Sequence, residues 1–503
     1  MTESLLLGID VGTTGAKVLL ADAGGRVLAE ALHEYPLSTP RPLWAEQDPE
    51  EWWQATARGI AQVLNSIPKS GNAVACVGLT GQMHGLVLLD SNGIPLRPAI
   101  LWNDQRTGAE CREIHSRVGE ARVLELTGNP VLPGFTAPKI EWVRRHEPEV
   151  LARTVRVLLP KDYVRYRLTG EFHGDVTDCS GTSLFDVGER RWSDEMLAAL
   201  EVPREWLPEV HESPEVCCET LELPECSLPA GVPVVAGAGD QAAQGVGAGI
   251  VAPGSVSATF GTSGVVFAAS DEYRVDPRGR LHTFCHAAPG KWHSMGVVLS
   301  AGGSLRWFRD ELGAEERAQA EREGRDPYEL LLERAAEAPP GAEGLLFLPY
   351  LTGERTPHPD PEARGAFVGL TLRHGKAHLC RAVVEGITFA MRDSLELLRG
   401  LGADPEAVRC SGGGARSPFW RQTMADIFGC AVTTSTVPQG AAHGAVLLAA
   451  VGAGSFASVE EATARLEWSE PVEPDAERSA LYDEAYERYR GLYPALRDSF
   501  ARG

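Results

Sequence analysis

The chain has 503 residues, 43% hydrophobic and 23% charged, which at about 150 residues per domain allows two to four cores, with large α/β lobes favouring two. Its formal net charge of −22, unrelieved by any basic run, opposes nucleic acid and anionic membrane surfaces as partners. No apolar stretch reaches the roughly 18 residues of a membrane span, and ten scattered cysteines without a Cys-x-x-Cys pair fit reduced thiols, so a cytoplasmic location is expected.

The N-terminal MTESLLLGID lacks the basic segment and long apolar run of a signal peptide. Leu5–Asp10, Ala16–Ala21 and Arg26–Ala31 have strand character and are joined by glycine-bearing turns, Gly12–Gly15 and Asp22–Gly25, which predicts a meander. Asp48–Asn65 has helical periodicity and opens on Asp48-Pro49-Glu50-Glu51, a helix-start signal. Ala73–Thr80 is a further strand and runs into Gly81-Gln82-Met83-His84-Gly85. Cys217, Cys218 and Cys226 lack metal-ligand spacing and read as structural. Pro233–Gly239 is expected to be one buried strand with a glycine-rich exit.

Ser255–Phe260, the turn Gly261-Thr262-Ser263-Gly264 and Val265–Ala269 then repeat the opening strand–turn–strand order. The echo predicts two related lobes, with the boundary near Gly245–Pro253 and lobes spanning 1–248 and 249–503. Leu281–His286 reads as a strand, which argues against His282 and His286 as a helical metal pair. Ala314–Ala336 reads as solvated helices. Val408–Cys410 leads into the glycine-rich Ser411–Ser417 and the helix Pro418–Phe428. Asp475–Tyr493 is expected to be one helix with a stripe of Leu481, Tyr482, Tyr486, Tyr489 and Tyr493, ended or kinked by Pro494.

Several of these segments suit phosphate chemistry, although each alone is also an ordinary turn. In Asp10-Val11-Gly12-Thr13-Thr14-Gly15-Ala16-Lys17, small residues let backbone amides approach phosphate oxygens, Thr13 and Thr14 add hydroxyls, and Lys17 adds a charge. Asp10 could hold Mg²⁺ through water. The spacing is not that of a Walker A loop. The Thr262 turn is the same device from the other half, and two such turns would clamp a triphosphate. Asp240, in VVAGAGDQAAQGVGAG, follows a strand at a helix start, where open α/β sheets bind ligands. A carboxylate there could take the proton of an attacking hydroxyl, or simply cap a helix. Ser411–Ser417 lets backbone approach a flat ligand, while Gln82 and His84 suit a polyol beside the apolar wall of Met83.

These elements in this order resemble the FGGY carbohydrate kinases, of the actin/Hsp70/hexokinase superfamily. Gly134-Phe135-Thr136-Ala137-Pro138-Lys139-Ile140-Glu141-Trp142 and the segment from Gly365–Leu370 to His378–Glu385 are similar to further family signatures. Within the family, Gly81–Gly85, Leu101–Thr107, Leu281–His286 and Trp292–Trp307 resemble the branch acting on D-xylulose. Glycerol-specific members have an Arg-Glu pair where this chain has Met83-His84.

The resemblance implies an α/β protein of two actin-like, ribonuclease H-like lobes with the nucleotide and sugar cleft between them. It implies ATP and Mg²⁺, and phosphorylation of D-xylulose at its terminal hydroxyl. Asp240 matches the catalytic base. Asp10 matches the N-terminal acid serving the metal, which both carboxylates would hold through water. Met83, His84 and Gln241 match sugar-binding positions. Thr13, Thr14, Thr262, Gly302, Gly413 and Ser417 match nucleotide-binding positions. Arg306 stands where the family commonly has glutamine, and Gln241 where the D-xylulose branch often has asparagine. Another ketose or polyol, such as ribulose or a pentitol, remains open as substrate. So does the superfamily's other class, in which nucleotide state switches a partner surface. A homodimer is an admissible assembly.

Overall fold

Leu5–Val11 is apolar on both faces, and in the computed structural model, which describes residues 4–67, 70–435 and 440–500, it lies inside a sheet covered on both sides. Side chains alternate along the strand. Leu5, Leu7, Ile9 and Val11 enter the core beneath the helix Pro49–Ser66, whereas Leu6 enters a second core with the helix Ala441–Gly452. Each such aliphatic side chain contributes about 1.5–3 kcal/mol on full burial. Gly8 lies on the second face, where a Cβ would stand 2.5 Å from the Ala442 carbonyl, so the helix packs directly on the strand backbone. Ala441–Gly452 is apolar all round and correspondingly buried.

The first sheet runs in the order 216–219, 233–235, 74–81, 5–11, 15–22, 27–34, with 238–239 also paired to 74–81. The second runs 282–285, 292–298, 264–270, 256–260, 407–412, 431–434. Both place a strand hairpin beside parallel strands: Leu5–Val11 is antiparallel to Gly15–Asp22 and parallel to Val74–Gly81, and Val256–Phe260 is antiparallel to Gly264–Ser270 and parallel to Ala407–Gly412. The repeated topology gives the two related lobes that the duplicated turns predict, in the actin-like α/β architecture that the family resemblance implies. The helix Ala441–Gly452, from the second half of the sequence, packs on Leu5–Val11 and beside Asp240–Gly247.

The expected helix at 48–65 is present as Pro49–Ser66, with Asp48 accepting the amide of Glu50 at 3.0 Å as its N-cap. Two expectations need correction. Pro233–Gly239 is two short strands, Pro233–Val235 and Ala238–Gly239, broken at Gly237, whose φ is 75° and whose Cβ would stand 2.1 Å from the Leu79 carbonyl. The C-terminal helix ends at Arg490, before Pro494; the chain turns at Gly491, and Pro494 sits in the first turn of Leu492–Leu496, where its missing amide costs nothing. Tyr482, Tyr486 and Tyr489 are buried as the stripe requires, but Leu481 is exposed. The ten cysteines are free thiols.

Candidate active site

Three parallel strands of the first sheet end at one level. Asp10 pairs with Thr80 and Val11 with Gly81, and Ala238 and Gly239 pair with the same two residues from the other side. Asp240 follows immediately as the first residue of the helix Asp240–Gly247. Asp10 has the strand parity of Leu6 and Gly8, the face on which that helix lies. The two carboxyls thus lie at the same end of the sheet, near enough for the charge of Asp10 to act on Asp240. Burial pushes Asp10 up to about 6 against the pull of Lys17. Burial, then the charge of Asp10, pushes Asp240 up to about 7, against hydrogen bonds from Gln241. Lys17, across the hairpin from Asp10, bonds Glu30 at 3.1 Å.

The Asp240 strand end rests on a buried ion network. Gly239 N–H donates to Thr177 Oγ1 at 2.8 Å, and Thr177 donates to Asp175 at 2.5 Å. Lys161 Nζ lies 2.5 Å from Asp175, 2.6 Å from Asp162 and 3.2 Å from Asp178, and Arg165 holds Asp162 at 2.6 Å and the Ala236 carbonyl. Burial drives Asp178 well above the carboxylate range, against the pull of Lys161. Nothing in the linear pattern announced this network, because its members are spread from 161 to 239.

Met83 is buried and packs at the residue preceding Asp240: a Cβ on Gly239 would stand 2.8 Å from its side chain. His84 holds φ at 68°, a left-handed conformation costly for a residue with Cβ. Its ring stacks on Phe135 with centroids 4.4 Å apart. Its Nδ1 donates to the Gly181 carbonyl at 2.7 Å, which leaves Nε2 as an acceptor. Burial lowers its pKa to about 3, so the ring is neutral. The His84 carbonyl accepts Thr136 Oγ1 at 3.1 Å and Lys139 Nζ at 2.8 Å, and Lys139 also bonds the Gly134 carbonyl at 2.7 Å. The segment Gly134–Trp142 thus braces the strained histidine. Arg355, from the second half of the chain, forms no salt bridge among the described residues, and its charge reaches both His84 and His282. Sequence reading missed Lys139 and Arg355 as contributors to the site.

Gln82 is not aimed at a polyol. It is buried, and its amide bonds Gln47 at 3.0 Å and Thr13 at 3.3 Å. Gln47 in turn holds the Thr13 carbonyl at 2.7 Å and accepts the Trp52 indole at 3.0 Å. Thr13 Oγ1 also accepts the Trp102 indole at 2.9 Å, so Thr13 is locked into the wall of its turn while Thr14 is exposed at the tip.

The second sheet gathers the remaining positions. Gly302 N–H donates to the Gly261 carbonyl at 2.8 Å and Gly303 N–H to the Thr262 carbonyl at 2.9 Å, docking the start of helix Gly302–Leu312 on the second turn. A Cβ on Gly302 would lie 2.4 Å from the Gly261 oxygen, so glycine is needed for this approach. Thr262 is exposed. Gln244 in the Asp240 helix donates to Thr259 at 3.0 Å, and Thr259 bonds Ser411 at 3.0 Å, tying the acid's helix to the strand before the second turn and to the third glycine cluster. Ser417 caps the helix Pro418–Phe428 through the Trp420 amide at 3.3 Å. Gly413 and Ser417 line a cavity of about 410 Å³ with Tyr328, Leu332, Arg416 and Phe419. Arg306 points to solvent and lies 3.7 Å from Asp310. His282 and His286 have partners of their own, Asn129 at 2.9 Å and the Ala288 amide at 2.8 Å.

Comparison with known proteins agrees with this geometry. Residues 5–247 match the N-terminal domain model, and residues 256–453 the C-terminal domain model, of the FGGY family of carbohydrate kinases. The chain is 44% identical to a xylulose kinase of Escherichia coli strain K12 over 98% of its own length and 99% of the relative's. It superposes on a crystal structure of a xylulose kinase from Rhodospirillum rubrum with a TM-score of 0.92 at 33% identity, covering 99% of this chain and 100% of the other. A crystal structure titled as a xyloylose kinase from Brucella ovis gives a TM-score of 0.89 at 39% identity, covering 98% and 99%. On this evidence of sequence, fold and domain order, the chain belongs to the FGGY family of carbohydrate kinases.

Proposed function

We propose that this protein transfers the γ-phosphoryl group of ATP to the terminal 5-hydroxyl of D-xylulose, giving D-xylulose 5-phosphate and ADP. The observation that carries the reading is the position of Asp240. It stands at the strand ends, next to Met83 on one side and tied through Gln244 to Thr259, in the strand that leads into the second glycine turn, on the other. The similarity to xylulose kinases, and the Met83-His84 pair in place of the arginine and glutamate of glycerol-specific members, support D-xylulose as acceptor.

In this reading the ketose lies against Met83, His84 and Gln241, with a sugar hydroxyl donating to His84 Nε2. Asp240 orients the 5-hydroxyl and accepts its proton as the oxygen bonds to the γ-phosphorus. The bond from that phosphorus to the β–γ bridging oxygen breaks, and its electron pair leaves with ADP. The Thr13–Thr14 and Thr262 turns contact the phosphates, and Gly302, Gly413 and Ser417 receive the adenosine end. Closure of the lobes, proposed as residues 1–248 and 249–503, would keep water from replacing the sugar.

The residues present fit a divalent cation. Asp10 Oδ1 is buried without a hydrogen-bond partner, and the charge of Asp10 helps to raise the pKa of Asp240, which a cation between them would reverse. Asp10 and Asp240 would hold Mg²⁺ through water, and the ion would neutralise charge on the phosphate oxygens. A cytoplasmic location is part of the proposal; no helix among the described residues is long and apolar enough to cross a membrane. Phosphorus NMR of the product tests the reaction: a phosphate monoester on the terminal carbon supports it, and a phosphate elsewhere or free inorganic phosphate overturns it.

A further inference from the structure

The strands His173–Asp175 and Glu209–His211 form a parallel ribbon whose histidines the phosphoryl-transfer site does not use. Glu209 pairs directly with His173, and His211, two residues on, shares the face of Glu209. One ligand atom from each of His173, Glu209 and His211 lies within 4.8 Å of the others. His173 Nδ1 and His211 Nε2 face each other at 3.0 Å.

The outer nitrogens of the two rings decide what lies between them. His173 Nε2 is 3.4 Å from Glu171, and His211 Nδ1 is 3.3 Å from Glu215. An ionised carboxylate only accepts, so each outer nitrogen is the N–H donor. In neutral rings both inner nitrogens then present lone pairs to one another at 3.0 Å. That arrangement is repulsive unless a metal ion, or a proton carried by one ring, lies between them. Two imidazoles on a tetrahedral zinc ion at about 2.05 Å would hold their nitrogens about 3.3 Å apart, a few tenths of an ångström from the observed spacing. Carboxylates backing the far nitrogens are the usual outer arrangement of metal-bound histidines. The imidazoles are largely shielded, while Glu209 is exposed and leaves an open side for entry and for a water ligand.

We propose that His173, His211 and Glu209 form a structural site for one borderline divalent metal ion of the Zn²⁺ class, separate from the Asp10–Asp240 cation site. Imidazole donors select such ions over Mg²⁺. The ion would clip the two strands of the ribbon. Asp175, at the end of the same strand as His173, belongs to the ion network beneath Asp240, so the clip would steady that network from outside.

The test is calorimetric titration of chelator-stripped, full-length protein with Zn²⁺ in excess Mg²⁺, with melting temperature followed in parallel. One equivalent of Zn²⁺ should bind and raise the melting temperature. His211→Ala should abolish stoichiometric binding, and Glu215→Gln should weaken it about 10- to 100-fold. Asp10→Asn should leave it unchanged. Should His211→Ala fail to fold, as judged by circular dichroism, Glu209→Gln and Glu215→Gln carry the test from the exposed carboxylates. Absence of stoichiometric Zn²⁺ binding by the wild type would leave the histidines as a proton-sharing pair and overturn the proposal. Undiminished binding in the ribbon variants, or its loss in Asp10→Asn, would overturn it as well.

Discussion

Asp10 and Asp240 are far apart in sequence, yet they stand at the ends of the two strands that flank Val74–Gly81 on either side, and the charge of the first helps to lift the second to about 7. A base with a pKa near the working pH is well matched to taking a hydroxyl proton. The pair therefore links the sheet's register to the proposed chemistry.

The first prediction concerns that base. Asp240→Asn should lower turnover by about 10²- to 10⁴-fold, the usual worth of a positioned acid–base group, while ATP binding is largely retained. Stopped assays with calorimetry of nucleotide binding check it. Near-normal turnover in a folded variant would remove Asp240 from its role.

The second concerns pH and stability without ligand. Burial raises both carboxyls above the ordinary value near 3.8, to about 6 and about 7, so the folded state holds these protons more tightly than the unfolded state. The sign is the reverse of a salt-bridged aspartate. Their contribution to stability is full below about pH 4 and is lost as pH rises towards 7. Asp240→Asn should therefore raise the apo melting temperature at pH 8, with a smaller difference at pH 5. An equal difference at both values would show that Asp240 does not titrate as described. Added Mg²⁺ and ATP should remove the wild type's penalty.

The third concerns the sugar. His84→Ala leaves a buried hydroxyl without its acceptor, which costs about 1–3 kcal/mol, or roughly 5- to 150-fold in kcat/KM for D-xylulose. ATP affinity should stay close to wild type. Met83→Leu should cost less, since it contributes a wall and no directional bond. A loss falling on ATP instead of sugar would place His84 elsewhere in the mechanism.

The fourth concerns the nucleotide turns. Gly302→Ala must displace the Gly261 carbonyl, which would lie 2.4 Å from the new Cβ, and should weaken ATP more than sugar. Thr262→Val should act in the same direction with little effect on folding, because Thr262 is exposed. Thr13→Val should also lower the melting temperature, because it strips partners from Gln82 and Trp102. Binding calorimetry and thermal melts separate the two effects; unchanged ATP affinity in Gly302→Ala and Thr262→Val would return this turn to a structural role.

The fifth concerns the buried ions. Lys161→Met leaves Asp162 and Asp175 without their shared cation and should cost about 3–5 kcal/mol of stability. Denaturant unfolding measures it; a loss below about 1 kcal/mol would mean the aspartates simply take up protons.

The sequence made the frame legible because glycine turns and apolar strands are local signals. Gly12–Gly15 and Gly261–Gly264 announced two sheets, and Asp48-Pro49 announced a helix within one residue of its start. The break at Gly237 escaped notice because its cause, the Leu79 carbonyl, lies more than 150 residues away. The position of Asp240 was readable from its own flanks, but its support was not. The Lys161 cluster, the Lys139 brace on His84 and the Arg355 charge all depend on which segments meet, and periodicity reports only that a face is buried. Gln82 shows the same limit from the other side. Its type suited a polyol, but its packing against Gln47 spends it on the turn.

The most direct measurement is sugar-dependent ADP release by the purified protein, as kcat/KM for D-xylulose, ribulose, pentitols and glycerol at fixed Mg²⁺–ATP. The account predicts that D-xylulose gives the highest value and that Asp240→Asn abolishes its advantage. Better turnover of ribulose or glycerol would contradict the substrate, and no stimulation by any sugar or polyol would contradict the phosphoryl-transfer reading itself.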